Sequence, residues 1–372
     1  MSYRLKLSFD PNFNYSKLQP RHKADGGVDH FDLGYVQSVH RNEVLACWEE
    51  SDQNVLGSEA YTLELEEKKM PAGPNCHVDP GSPDCLLASV DGYIVYRDDE
   101  ISVKTLLNVR RDVDFHTGNI RFPGDIVFAS DVRSGFSVIG RHIWVKGEVE
   151  AANLRATGSV IVDGGVKGGQ TGQIRARGGI RVRFCEQCRL RARTGILVKG
   201  SSLHCRLYAG RKLVVSERLV GGSASSRDLV YVKEQLGGGL STETEVIVGY
   251  DPALLLRDDM VVEKMRKLRD RRSSLERVIR REGGIAELQK KLSETSARIT
   301  ALKARRAEMW ESYTAVGNYG KCRVIVPGAV RPGVDIYIGP AYLKVQDFLE
   351  NVHFYYKDGE VCVGSPALPG KR

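Results

Sequence analysis

Long hydrophobic runs are missing from this chain. No stretch of its 372 residues approaches 18 uninterrupted apolar positions, which excludes a membrane-spanning helix. The first residues, Met1-Ser-Tyr-Arg-Leu-Lys-Leu-Ser-Phe-Asp-Pro11, alternate polar and apolar and lack a signal-peptide core. Cysteine is scarce: 8 residues in a chain of this length are too few for a disulfide scaffold. With no export signal, all eight are expected to be reduced thiols in a cytoplasm. Proline, at 13, is slightly below its usual share, while the 39 glycines exceed theirs. A hydrophobic content of 41 % suffices for a sizeable core and excludes wholesale disorder. The net charge of +8 permits an acidic partner without demanding one.

What is present is unevenly distributed. Residues 111–250 hold 22 glycines, whereas residues 257–311 hold two, Gly283 and Gly284, side by side. Glycine-rich text that is also rich in Val and Ile means tight corners between short strands. The glycine-poor text, rich in Arg, Lys, Glu and Leu, means helix.

A repeat runs through the glycine-rich part, where Gly124, Gly140, Gly158, Gly178, Gly195 and Gly210 recur at intervals of 15 to 20 residues. Each period opens on alternating apolar residues, as in Ile126/Phe128, Ile143/Val145, Val160/Val162 and Ile180/Val182. Each closes on a second alternating pair: Phe136/Val138, Leu154/Ala156, Ile174/Ala176, Leu190/Ala192 and Leu207/Ala209. Alternation means strands with one buried face. The period is too short for a crossover helix, so a doubly wound sheet is excluded. Stacked coils remain: a mainly β chain built on a parallel β-helix. The interval does not keep the six-residue period of left-handed hexapeptide helices, so a right-handed, irregular solenoid is expected.

Residues 257–311 are predicted to form an antiparallel coiled-coil hairpin. Ile285, Leu288, Leu292, Thr295, Ile299, Leu302, Arg306 and Met309 keep a heptad; Val261, Met265, Leu268, Arg272, Leu275 and Ile279 form a looser one. Gly283-Gly284 is the expected reversal point. Val324-Ile-Val326-Pro-Gly328 then repeats the solenoid pattern of Ile143-Trp-Val145-Lys-Gly147, so the hairpin reads as an insertion between coils. The expected organisation is an N-terminal β-rich domain over 1–110, a β-helix over 111–250, the hairpin insertion over 251–316, and a returning coil with a cap over 317–372.

Candidate sites are few. Cys185-Glu-Gln-Cys188, with His204 and Cys205 a repeat later, offers zinc-ligand types. The cysteines also sit at equivalent repeat positions, two residues before Leu190 and Leu207, which suits core packing; whether they bind a metal stays open. The runs Gly164-Gly-Val-Lys-Gly168-Gly and Gly237-Gly-Gly lack the strand-to-helix context of a phosphate loop. Acidic residues are sparse in the coils, and nothing is expected to recur beside Glu148 and Glu150. The eight histidines are scattered. No catalytic, cofactor-binding or metal residue is assigned, and the chain is expected not to be an enzyme.

Arginine does recur. Arg155, Arg175 and Arg191 each sit between the two inward residues that close a coil, so all three should face outward at one position. Arg177 and Arg193 follow one register later, and Arg181, Arg183 and Arg189 lie close by in sequence. They are expected to form one basic stripe: a solvated face, or a docking surface for an acidic partner, membrane headgroups or a polyanion. Residues 257–311 carry 16 Lys/Arg against 10 Asp/Glu, with Arg280 and Arg281 near the expected tip. Mixed charge and few aromatics there argue against nucleic acid.

Asp112-Val-Asp114-Phe-His-Thr-Gly118-Asn-Ile-Arg-Phe-Pro-Gly124 resembles the entry to the solenoid of the flagellar assembly protein A (FapA) family. So do Asp131-Val-Arg-Ser-Gly135-Phe-Ser-Val138, Val248-Gly-Tyr-Asp-Pro252 before the hairpin, and Val330-Arg-Pro-Gly-Val-Asp-Ile-Tyr-Ile-Gly339 after it. The resemblance covers roughly residues 45 to 365, and the solenoid also resembles the β-helix of the septum-site inhibitor MinC. It implies a non-enzymatic bacterial scaffold that assembles or places flagella through protein contacts in the cytoplasm, at the cell pole. Self-association, as a homo-oligomer or a cytoskeletal polymer, and nucleic-acid binding through the basic hairpin or Arg stripe are the alternatives. No cofactor is implied. The cysteines at 185, 188 and 205 depart from the small or aliphatic residues expected there.

Overall fold

Short alternating segments separated by glycine corners form strands almost everywhere outside residues 252–314. The computed structural model describes all residues except 1–2, 16, 19, 23–27, 50–60, 283–285, 315–318 and 368–372. Its parallel strands form a β-solenoid of about eight turns. The chain divides into two compact units, residues 1–192 and 193–372.

The first unit begins with antiparallel sheets. Five strands pair in the order Tyr61–Leu65, Tyr3–Leu7, Val44–Trp48, Ser82–Ala88, Cys76–Asp79, and Gly92–Arg97 lies between Glu100–Lys104 and Ser38–Val39. Leu5, Leu7, Leu45, Leu86, Ile101 and Val103 close one core between them. The cysteine expectation fails here. Cys47 and Cys85 stand directly opposite each other on antiparallel strands and are disulfide-bonded, with Cα atoms 4.2 Å apart. Opposed residues on such a pair bring their Cβ atoms within about 5.5 Å, close enough for their sulfurs to meet. Not all eight thiols are therefore reduced.

From Leu106 the first unit becomes solenoid. Leu107, Ile126, Ile143, Val160 and Ile180 stack in register, and so do Val109, Phe128, Val145, Val162 and Val182. The closing strands make a second wall, in which Ile120, Val138, Leu154, Ile174 and Leu190 stack. A third wall consists of single valines, Val113, Val132, Val149 and Val166, joined by isolated bridges. Every one of these side chains is buried. Burying each aliphatic side chain contributes about 1.5–3 kcal/mol, so the columns, not the turns, hold the coils together.

In the second unit Ile196, Leu213, Val230 and Val324 form one column, and Leu207, Ala224, Val246 and Ile336 another. Val230 and Val324 are adjacent in space although the whole hairpin lies between them in sequence, which establishes the insertion. Helix α1 spans Pro252–Glu282 and helix α2 spans Ala286–Thr314. Asp251 caps α1 by accepting the Ala253 N–H at 2.8 Å. The expected seam is the inward one: Met265, Thr295 and Ile299 are buried, and Leu268, Leu275, Leu292 and Leu302 are half-buried. Ile285 and the Gly283-Gly284 reversal lie outside the described residues. After the hairpin, antiparallel strands Ala341–Lys344, Leu349–Lys357 and Glu360–Gly364 fold back on the last coil. They occupy a sheet edge that would otherwise invite further pairing.

Candidate partner-binding surface

Three strands of the first unit, Asn153–Ala156, Gln173–Ala176 and Arg189–Ala192, pair in parallel and in strict register. Leu154, Ala156, Ile174, Ala176, Leu190 and Ala192 point into the coil and are buried. The pleat therefore turns the residues between them outward. Arg155, Arg175 and Arg191 align as one outward column, and Asn153, Gln173 and Arg189 as its neighbour. Parallel strands lie about 4.8 Å apart, so three guanidinium stems rise from a line about 10 Å long.

The face is strongly basic. Arg175 donates to the Gln173 side chain at 2.7 Å, and the Arg189 Nε is buried with no hydrogen-bond partner. Partial burial, then the charges of Arg155, Arg191 and Arg189, push the Arg175 guanidinium below the usual arginine range. Among the described residues no carboxylate pairs with any of these four arginines.

Elsewhere on the same unit, cations are consumed. Arg133 grips Asp112 at 2.7 Å and Glu150 at 2.8 Å, Arg141 holds Asp125 at 2.7 Å, and Lys167 meets Glu148 at 2.7 Å. The hydrogen bond from Ser130 and those from Arg133 hold the Asp112 carboxyl below the usual range. Arg133 lowers Glu150 in the same way, and Arg141 lowers Asp125. These acids correct a sequence expectation. Asp112, Asp131 and Glu148 do recur at one coil position, each preceding a valine of the third wall. Asp112 accepts the Asp131 N–H at 3.2 Å, and Asp131 accepts the Glu148 N–H at 2.8 Å. Asp112 and Asp131 are thus staples between coils.

The single stripe expected from sequence is divided. Arg155, Arg175, Arg189 and Arg191 share the face. Arg181 and Arg183 lie on the other strand of the coil, Ile180–Glu186, where Arg181 is 3.7 Å from Asp163. Arg177 is exposed just after Gln173–Ala176, and Arg193 is an exposed residue at the start of the second unit. Arg280 and Arg281 occupy the last turn of α1, where cations complement the helix dipole.

Of the cysteines singled out, Cys185 aligns with Val166 and so prolongs the valine wall. Cys188 closes over Gly168, where a Cβ would lie 2.4 Å from its own. In the second unit Cys205 pairs with Gly222. All three are buried.

The second unit holds a cleft of about 370 Å³ at the root of the hairpin, which sequence reasoning missed. Asp258 accepts from Arg306 at 2.5 and 2.9 Å and from the Trp310 indole at 2.9 Å, tying both helices at their base. Tyr208, on the solenoid wall, donates to Asp259. Glu245 also lines the cleft, and burial, followed by the charges of Asp259 and Asp335, pushes its carboxyl up. The cleft's aromatic residues, Tyr208, Tyr250, Trp310 and Tyr337, gave a signal only in hindsight, because they are 27 to 129 residues apart in sequence.

Neither a curated protein nor a solved structure shows a significant match to the chain. Residues 105–361 match the Flagellar Assembly Protein A beta solenoid domain, a span that takes in the coils of both units and the inserted hairpin. The chain belongs to the FapA β-solenoid family.

Proposed function

We propose that this chain is a non-enzymatic bacterial scaffold of the flagellar assembly protein A type, working by protein–protein contacts in flagellar assembly or placement. It would act in the cytoplasm, at the cell pole. The family membership supports the flagellar role. The observation that carries the scaffold reading is the arginine face. Four guanidiniums side by side on one sheet, without a carboxylate partner among the described residues, repel one another, and an anionic partner relieves that cost.

The test is a clean deletion of the gene in its own host, with flagella counted and located by electron microscopy. Loss or misplacement is expected, restored by the intact gene but not by one carrying R155Q, R175Q and R191Q together. Normal flagellation in the deletion strain would end the flagellar reading. Full rescue by the triple variant would remove the arginine face from it.

A further inference from the structure

We propose that the arginine face of the first unit is a docking site for an acidic helix of a partner protein. This rests on the reading that the chain works by protein contacts, and not on which machinery it serves.

The spacing of the column carries the argument. Arg155, Arg175 and Arg191 are in register on three successive parallel strands, so their stems span two intervals, about 9.6 Å. Acidic side chains at i, i+3 and i+7 on an α-helix rise 1.5 Å per residue, which spans about 10.5 Å. The mismatch is about 1 Å, well within the reach of a flexible arginine stem. Carboxylates on one face of an extended strand, at i, i+2 and i+4, span about 13 Å, overshooting the column by about 3.5 Å, and match the three stems less closely than a helix does.

The chemistry of the face agrees. Guanidinium forks suit planar carboxylates, which accept two parallel N–H bonds. The outward neighbours Asn153 and Gln173 add amide donors, and Arg189 brings a fourth cation beside the column with its Nε unpartnered. No aromatic side chain stands on the outward face of these three strands, so bases have nothing to stack on. Nor does an apolar side chain project there that could enter a lipid surface. The hairpin of a second copy is itself basic, with 16 Lys/Arg against 10 Asp/Glu over residues 257–311, and is a poor occupant.

The probe is a fluorescein-labelled, alanine-based helical peptide with glutamates at i, i+3, i+7, i+10 and i+14, titrated with the full chain. Anisotropy is read at several salt concentrations. Two control ligands carry the same number of charges: a peptide with its glutamates distributed around the helix, and a single-stranded oligonucleotide. The striped peptide should bind tightest and weaken with salt. Affinity should fall at least tenfold in R155Q/R175Q/R191Q and measurably in R175Q alone, but be unchanged in R280Q/R281Q. Circular dichroism should find the triple variant folded and no less heat-stable than the parent, because mutual repulsion has been removed. If the triple variant does not fold, R175Q alone decides. Equal binding by the variant, or equal binding of the distributed peptide, overturns the proposal. Tighter binding of the oligonucleotide, lost in the same variant, reassigns the face to nucleic acid. A failure here with a flagellar phenotype intact leaves the scaffold role standing; normal flagella with striped binding intact leaves the docking face standing.

Discussion

Replacing Gly210 by alanine tests the stacking of the coils most directly. Gly210 has an ordinary backbone conformation, so the substitution brings no left-handed strain. A Cβ there would lie 1.8 Å from the Arg193 carbonyl oxygen and 2.5 Å from its carbon. Ordinary contact begins at 3.4 Å, and the obstacle is backbone rather than a side chain that could swing away. The two coils must separate locally by about 1.6 Å. The adjoining hydrogen bond, Arg211 N–H to Thr194 C=O at 2.6 Å, would then stretch out of range. Arg211 and Thr194 are exposed, so water can take up the freed groups, and losing the bond costs about 0.5–1.5 kcal/mol. Loosened packing around Ala209 adds to this, against a gain of only about 0.4–1 kcal/mol from a stiffer unfolded chain. Overpacking of this kind costs about 1–3 kcal/mol, and a net loss of about 2 kcal/mol is expected. Gly195, another repeat glycine, is the control: its nearest obstacle is the Lys212 carbonyl oxygen at 3.0 Å, and G195A should stay within about 1 kcal/mol of the parent. Urea denaturation of the full chain, followed by circular dichroism and by hydrogen exchange in residues 195–232, measures both. Equal midpoints for G210A and G195A would refute close coil stacking as the reason for the recurring glycine.

Three further outcomes are expected. Asp258→Ala strands Arg306 and the Trp310 indole at the hairpin root and should cost about 2 kcal/mol, read as faster hydrogen exchange in α1 and α2 and a red-shifted Trp310 emission. Glu245→Gln should stabilise the chain near neutral pH. Folding raises this carboxyl's pKa above 4.5, so its charged form subtracts stability at higher pH; the gap should close as pH falls through the raised value, and a pH-independent gap would count against the cleft. Opening the disulfide by C47S/C85S removes a constraint on a 38-residue separation, for which chain entropy gives about 4 kcal/mol; non-reducing peptide mapping should find the linked pair, and an unchanged melting midpoint under reductant would contradict it.

How much of this was legible in the sequence depended on how many inward residues each wall contributes per coil. Two walls put two inward residues on each strand, so Leu154/Ala156 and Ile143/Val145 announced themselves by alternation. The third wall contributes single valines, Val113, Val132, Val149 and Val166, at intervals of 19, 17 and 17. One residue per coil has no alternation to detect, so the wall and the aspartates beside it stayed hidden. The hairpin was legible because heptads are local, and Met265, Thr295 and Ile299 are buried where the pattern put them. Its root was not, since Asp258 reaches Arg306 across 48 residues. The Cys47–Cys85 bridge is likewise a product of antiparallel register, which no cysteine spacing reveals.

Charge was the most misleading signal, for a physical reason. Counting placed six of the eight net positive charges on the hairpin and drew attention there. On a helix, however, residues three and four apart are neighbours, and the hairpin spends several of its cations on them. Arg266 takes Glu263, Arg272 takes Glu276, and Lys291 takes Glu287. On the solenoid, neighbours across coils are about 17 residues apart, so an arginine is paired or bare according to what the next coil puts in register. Arg133 and Arg141 meet acids there; Arg155, Arg175 and Arg191 meet one another. Sequence net charge sums over all of these alike, whereas a partner feels only the cations the fold has left unpaired. The hairpin still leaves more cations unpaired in number, but they are strung along two helices among acidic residues, whereas the first unit sets four side by side on one face with no carboxylate among them.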